Sequence, residues 1–317
     1  MDRGESDRFD FVASLPTRLI CVFTPLFEGG ETDSAGDPVI TTAPPQGLTI
    51  LTRQSCDRLG EGALTFLERA VVDVGLAKRQ HAAYRAAMAE TGATVIDAPA
   101  DDRFPDSTFV EDVLLAFPEC FVLCRPGTAS RAGETQLIAQ HLPQDRPLFS
   151  IEAPATLDGG DVLTIALEVF VGLSTRTNPA AHGALARLLE PFGYVVRSVP
   201  VTGSLHLKTA VTAPREDLMV ANTAWVDPAA FGPRRLVEVH PDEPFAGNML
   251  RIGERLFGQA CHPRTTARLE KAGLTVIPLD ISEFAKVEAG LTCLSVVIPP
   301  AAPWTARPGA DAARPPG

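Results

Sequence analysis

Basic charge is in short supply in this chain of 317 residues: 28 Lys and Arg stand against 39 Asp and Glu, a formal net charge of −11. With no basic block to offset it, that balance argues against a nucleic-acid backbone or an anionic membrane as partner. A small cationic ligand suits the field better. Long apolar runs are also missing. A run such as Val162–Leu173 is broken by Glu168 and falls well short of the roughly 20 residues of a membrane helix, so no span is expected. Met1–Phe11 mixes Asp, Glu and Arg and has neither the basic start nor the apolar stretch of a secretory signal, which points to the cytoplasm. Cysteine is sparse and scattered (Cys21, Cys56, Cys120, Cys124, Cys261, Cys293) and forms no CxxC pair. That excludes a disulfide framework. Cys120 and Cys124 share one face of a strand-like run, but no His cluster completes a metal site with them. For every cysteine except Cys293 the expectation is a buried, reduced thiol.

What the chain does contain is a repeated unit. Residues 1–46 are rich in Gly, Pro, Asp and Thr, and residues 299–317 are rich in Pro and Ala; both read as appendages, the first partly disordered and the second disordered. Between them a strand hairpin, a helix and a further strand recur. Val113–Phe117 and Cys120–Cys124 flank a Pro-Glu turn, followed by a helical stretch from Glu134 to Leu142 and by Pro147–Ile151. Val162–Ala166 and Val169–Gly172 open the next unit, which closes at Tyr194–Val201. Its helix is bounded by Asn178 as N-cap, Pro179 in the first turn and Gly193 past the end. Further units start near Leu207 and Met249 and close with Leu236–His240 and Leu274–Leu279, and one more strand begins at Leu294.

A period of about 45 residues carrying strands and a helix suggests a ring of α/β units. A fifth unit would join the strand after Leu294 to Leu48–Thr52, a helical stretch over Leu59–Thr91, and Thr94–Ala98. An open αβ sheet is the alternative that the pattern leaves standing.

Unusual residues precede the first strand of each unit: Glu111-Asp112, then Asp158-Gly159-Gly160-Asp161, then His206, Asn248 and Cys293. Taken singly, a histidine before a strand is ordinarily structural, an Asp-Gly-Gly-Asp is ordinarily a turn, and Glu111-Asp112 would be a solvated loop face. In a ring of repeats, equivalent positions surround the axis, so a thiol, an imidazole and several carboxylates would share one pocket. A thiolate is a strong nucleophile near neutral pH, and an imidazole can protonate a leaving group and then activate water. Clustered carboxylates oppose ordinary acyl transfer, which builds an oxyanion. They favour a guanidinium, whose planar fork of donors matches them and whose charge is neutralised by thiolate attack.

Six stretches resemble a known family in its own order: FPDSTFVED (Phe104–Asp112), RPGTASRAGE (Arg125–Glu134), LDGGDV (Leu157–Val162), STRTN (Ser174–Asn178), LHLKT (Leu205–Thr209) and KVEAGLTCLSV (Lys286–Val296). The chain from 47 to 298 is similar to the dimethylarginine dimethylaminohydrolases of the guanidine-modifying (pentein) superfamily. That resemblance implies a five-bladed α/β propeller with pseudo-fivefold symmetry, in which Cys293 is the nucleophile, His206 the general acid/base and Asp158 the partner that orients it. By motif position it also implies that Asp106, Glu111 and Asp112 surround the substrate guanidinium. Arg131 and Arg176, which alone would read as surface charge at helix starts, hold the substrate carboxylate, and the Val287 carbonyl meets its α-amino group. The family's lid after the first strand falls around Gly60–Leu64. Leu294 stands where some members carry a second cysteine.

The implied reaction is hydrolysis of Nω-methylated arginine to citrulline and an amine through a covalent thiouronium, with no metal and no organic cofactor. The partner is then a small cationic amino acid, with neither nucleic acid nor membrane. A homodimer is the one assembly the family suggests. Arginine deiminases and amidinotransferases share the fold; deiminases usually carry a helical insertion for which this chain has no room. A propeller that only binds a partner is the competing class, but it would have no reason to keep Cys293, His206 and Asp158 together.

Overall fold

A computed structural model describes residues 47–302; the N-terminal extension and most of the C-terminal tail read from the sequence lie outside the described residues. The described chain begins with β1 (Thr49–Arg53), α1 (Val74–Ala89) and β2 (Thr94–Ala98), followed by β3 (Leu114–Ala116), β4 (Phe121–Leu123), α2 (Glu134–Ala139) and β5 (Leu148–Ser150). Next come β6 (Val162–Ile165), β7 (Glu168–Leu173), α3 (Pro179–Leu189) and β8 (Val195–Pro200), then α4 (Leu207–Ala210), β9 (Val211–Arg215), β10 (Leu218–Ala221) and β11 (Arg235–Glu238). The last group is β12 (Leu250–Ile252), β13 (Arg255–Gln259), α5 (Pro263–Lys271), β14 (Val276–Leu279), α6 (Ser282–Ala285) and β15 (Val296–Ile298).

These strands make five three-stranded sheets of one design: the first strand runs antiparallel to the second, and the second runs parallel to the third. A parallel pair needs a crossover, and a helix supplies it in four sheets. Between β10 and β11 the crossover holds only a 3-10 turn, Pro228–Phe231, with Gly232 beyond it at φ +73°. The remaining sheet takes β15 as its first strand, pairing Thr49–Leu51 with Val296–Ile298, so the two ends of the ring meet in one blade. Residues of all five first strands line one chamber of about 890 Å³, among them Leu115, Leu163, Thr212, Leu250 and Val296. The first strands therefore surround the axis of a five-bladed α/β propeller.

The core is divided among the five seams between neighbouring blades. Leu51, Phe121 and Val296 pack in one, Val122 with Val169 in the next, and Phe170 with Met219 in the third. Val220 packs with Leu256 in the fourth, and Tyr84 with Phe257 and Phe284 in the last. Cys120 and Cys124 belong to the second seam on the same face as Val122. Four of the five described cysteines are buried free thiols; Cys261 is exposed, against expectation.

The boundary signals of α3 are borne out: Asn178 accepts the Ala181 N–H, Pro179 opens the helix, and Gly193 stops the chain at φ +86°. The expectation of helix from Leu59 to Thr91 is corrected. Only a 3-10 turn, Leu59–Glu61, precedes an irregular segment, and α1 begins at Val74 because Asp73 caps it by accepting the Leu76 N–H. The N–H groups of Thr65, Phe66 and Leu67 are taken by the distant Glu288 carboxylate instead of a helical ladder.

Buried Tyr84 on α1 ties the first blade to the segment before β15, donating to the Leu291 carbonyl at 3.0 Å and sharing a 2.7 Å hydrogen bond with Ser295. Tyr84→Phe is expected to lower unfolding free energy by about 1–2 kcal/mol, read as a lower urea midpoint with an unchanged m-value.

Candidate active site

Short turns deliver the functional side chains to the axis. Val110–Val113, Gly159–Asp161, α4 and Thr292–Leu294 each lie immediately before a first strand. Their packing is tight enough to require glycine. A Cβ on Gly159 would fall 2.0 Å from the Glu111 carbonyl oxygen, and one on Gly160 would fall 2.7 Å from His206 Nδ1 and 2.8 Å from Asp112 Oδ1. The Asp-Gly-Gly-Asp segment is thus a turn as well as a spacer that lets carboxylate and imidazole approach. Asp161 completes it by accepting the Leu207 N–H at 2.8 Å and the Ser174 hydroxyl at 2.6 Å, and so fixes the start of α4.

His206 lies between two acids. Its Nε2 is 3.1 Å from Asp158 Oδ2 and its Nδ1 is 3.7 Å from Asp112 Oδ1. Burial alone would favour the neutral ring, but the charge of Asp112, the hydrogen bond to Asp158 and the charges of Asp161 and Asp158 outweigh it and raise the pKa to about 9. For Asp112, burial pushes the carboxyl up, and the charges of His206 and Arg131 with the Arg131 hydrogen bond bring it below its usual range. Burial pushes the Asp161 carboxyl up to about 6. Asp158, fully buried, accepts the Gly127 N–H at 2.9 Å with its other oxygen.

Cys293 is buried, and its sulfur accepts the Gly290 N–H at 3.4 Å. Burial, followed by the charges of Glu111 and Asp112, pushes its thiol well above the ordinary range, only partly opposed by the Gly290 N–H and Lys208. Neighbouring acids thus favour the protonated form of both groups, the neutral thiol and the charged imidazole.

One pocket of about 330 Å³ brings together Cys293, His206, Asp106, Asp112, Arg131, Arg176 and Val287, with Ala63, Phe109, Leu205, Glu288 and Ala289 completing its wall. Two sequence-selected residues do not line it: Asp158, which lies behind His206, and Glu111. The Glu111 carboxylate is held by Lys208 Nζ at 2.6 Å and the Thr292 hydroxyl at 2.7 Å, and it faces the axial chamber behind the pocket. The expectation that it surrounds the guanidinium is corrected to a position beneath the nucleophile's turn.

The two arginines also differ. Arg131 is enclosed by Asp112 at 2.5 Å, by Glu134 at 2.8 Å and by the carbonyls of Asp106 and Phe109. Among the described residues the Arg176 guanidinium meets only Asp158 at 3.7 Å and the Thr65 hydroxyl at 3.4 Å, which leaves it freer to bind an anion.

Sequence reasoning passed over Glu134, Lys208 and Glu288. Glu134 lies three residues after Arg131, a spacing that allows pairing on one face, and burial, offset by Arg131, raises its carboxyl to about 7. Nothing in the local sequence marks Lys208 or Glu288, whose partners are remote in the chain. Among the described residues, Asp112, Asp158 and His206 form the one group whose ligand atoms lie within 4.8 Å of one another. Their carboxylate oxygens already accept from Arg131, His206 and the N–H groups of Gly160 and Gly127, so the donor set is that of an ion-pair network more than a metal centre.

No protein-family model matches the chain. A dimethylarginine dimethylaminohydrolase of Pseudomonas aeruginosa is 32% identical over 249 residues, which is 78% of this chain and 98% of that one. One of Streptomyces coelicolor is 38% identical over 247 residues, 78% of this chain and 95% of the relative. The solved structure of the Pseudomonas enzyme, a cysteine-to-serine mutant complexed with citrulline, superimposes with a TM-score of 0.75 at 31% identity, covering 79% of this chain and 98% of that one. Fold and site together define a propeller of the guanidine-modifying class. Within that class, the chain belongs to the N(G),N(G)-dimethylarginine dimethylaminohydrolase family. Among the described residues no helix is long and apolar enough to cross a membrane.

A histidine raised to about 9 from 6.5 contributes stability that is fully present below about pH 6.5 and is lost as pH rises through about 9. The unfolding free energy of the wild type minus that of His206→Gln is therefore expected to fall across that window in urea titrations at stepped pH.

Proposed function

We propose that this chain hydrolyses Nω-methylated arginine, both asymmetric dimethylarginine and monomethylarginine, to citrulline and dimethylamine or methylamine. The observation that carries the reading is the pocket itself: a buried thiol and an imidazolium share it with Asp106 and Asp112, acids that suit a bound cation. Asp106 and Asp112 receive the guanidinium, Arg176 with Arg131 the α-carboxylate, and the Val287 carbonyl the α-amino group. The roles of Cys293 as nucleophile, His206 as general acid/base and Asp158 as its orienting partner follow from the motif positions and fit these placements. Its setting is the cytoplasm, where a reduced thiol persists.

The protonation states suggest how the chemistry is timed. A thiol held neutral by neighbouring acids gains a compensating positive charge when the guanidinium enters, so the cation itself lowers the barrier to losing the thiol proton. The thiol proton passes to solvent as the cation binds, and the thiolate forms a bond to the guanidinium carbon. His206 donates its proton to the methylated nitrogen as that C–N bond breaks, and the amine leaves a covalent thiouronium on Cys293. The neutral imidazole then takes a proton from water, the resulting hydroxide adds to the same carbon, and the C–S bond breaks to release the ureido group of citrulline as the added hydroxyl's proton passes to the sulfur, which returns as the thiol. Asp158 stabilises the imidazolium at each turn of this cycle.

A citrulline assay with asymmetric dimethylarginine, monomethylarginine and arginine tests the assignment. Turnover is expected with the methylated substrates and to fall by about a thousandfold or more in Cys293→Ser and in His206→Ala. Citrulline from arginine alone would make the chain a deiminase, and full turnover by Cys293→Ser would refute the covalent route.

A further inference from the structure

The irregular segment that replaces the expected first turns of α1 meets the pocket through Ala63, as part of its roof, and is tied to its walls at three points. The Ala63 N–H donates to Asp106 Oδ2 at 3.1 Å, and the Arg176 guanidinium donates to the Thr65 hydroxyl at 3.4 Å. The third tie is the Glu288 carboxylate, whose Oε1 accepts three consecutive N–H groups: Thr65 at 3.1 Å, Phe66 at 2.5 Å and Leu67 at 2.6 Å. Arg69 folds the segment on itself by donating to the carbonyls of Gly60 and Gly62. Glu288 is also one of two non-glycine residues with positive φ among those described, at +63°. A left-handed backbone disfavours a side chain by roughly 1–2 kcal/mol and persists where the surroundings over-determine it, often beside a functional site. Here the conformation places Glu288 between Val287 and Ala289 on the pocket wall with its carboxylate turned to the roof.

We propose that Glu288 is a positioning residue for substrate binding: by collecting three successive backbone donors it holds residues 63–67 over the bound amino acid, and so sets affinity more than the rate of bond making. The inference rests on the functional reading above, because the other two ties are to Asp106 and Arg176, the groups assigned to opposite ends of the substrate. With the roof in place, the Ala63 N–H fixes the acid that receives the guanidinium and Thr65 fixes the arginine that receives the carboxylate. With the roof released, both lose a partner and the pocket opens to water. Charged acceptors make the stronger class of hydrogen bond, and three on one carboxylate account for a segment that holds its shape without helix or strand.

The test compares wild type, Glu288→Ala and Glu288→Gln. The amide keeps an oxygen in the place of the one that receives all three N–H groups, so it should restore most of what alanine loses. For Glu288→Ala we expect KM for asymmetric dimethylarginine to rise about tenfold or more, kcat to stay within about threefold, and limited trypsin digestion to cut after Arg69 faster than in wild type, with citrulline slowing the cut. An unchanged KM, or a fall in kcat at constant KM, overturns the proposal. If the wild type turns over none of the methylarginines or arginine, the functional reading fails, and the digestion decides the role of Glu288 alone: equal cleavage at Arg69 in wild type and Glu288→Ala would overturn it.

Discussion

Opposite charges alternate without a break across the buried centre of the ring: Arg131, Asp112, His206, Asp158, Arg176. Each would carry a desolvation penalty of several kcal/mol if buried alone, so each is tolerated only because its neighbours have the other sign. The row is assembled from turns of different blades, and it holds only if those turns approach within hydrogen-bond distance. The glycines at 159 and 160 permit that approach, since a single Cβ at either would collide with Glu111 or His206. Propeller geometry, glycine placement and electrostatics thus form one constraint.

The same row explains the reversed protonation of the reactive pair. A thiolate–imidazolium pair is the usual expectation where cysteine and histidine share a pocket, but the flanking acids stabilise the imidazolium and oppose the thiolate. In the proposed reaction, Cys293 stays protonated until the positive charge of the guanidinium arrives. Discrimination against neutral amides and esters then needs no steric device, because they bring no charge to offset Asp106, Asp112 and the neighbouring Glu111.

Much of this was legible in the sequence. The recurrence of hairpin, helix and strand about every 45 residues marked the blades, and the odd residues before each first strand marked the axis. Motif position selected Asp106, Asp112, Arg131, Arg176, His206, Val287 and Cys293, which line one pocket, and Asp158, which lies behind His206. The failures share a physical cause. Glu111 follows the same turn as Asp112, but adjacent residues in a tight turn point to different sides, and Lys208 draws its carboxylate to the rear chamber. The stretch from Gly62 to Val72 has residues compatible with helix, yet its N–H groups find a better acceptor in Glu288, more than 200 residues away, and local propensity cannot register such a partner. Cys261 looked like any other scattered thiol, because exposure at the end of a blade leaves no mark in composition.

Ring closure has a consequence for the order in which the chain becomes competent. Cys293 sits three residues before the start of β15, the strand that completes the blade begun by β1. During synthesis from the N-terminus, the acids and the imidazole can gather while the first blade still lacks its inner strand. The sulfur arrives with the last piece of the propeller, so a nascent or C-terminally clipped polypeptide that ends before it lacks the thiol, whatever it has gathered of the acids and the imidazole. Reactivity is thereby reserved for the finished circle.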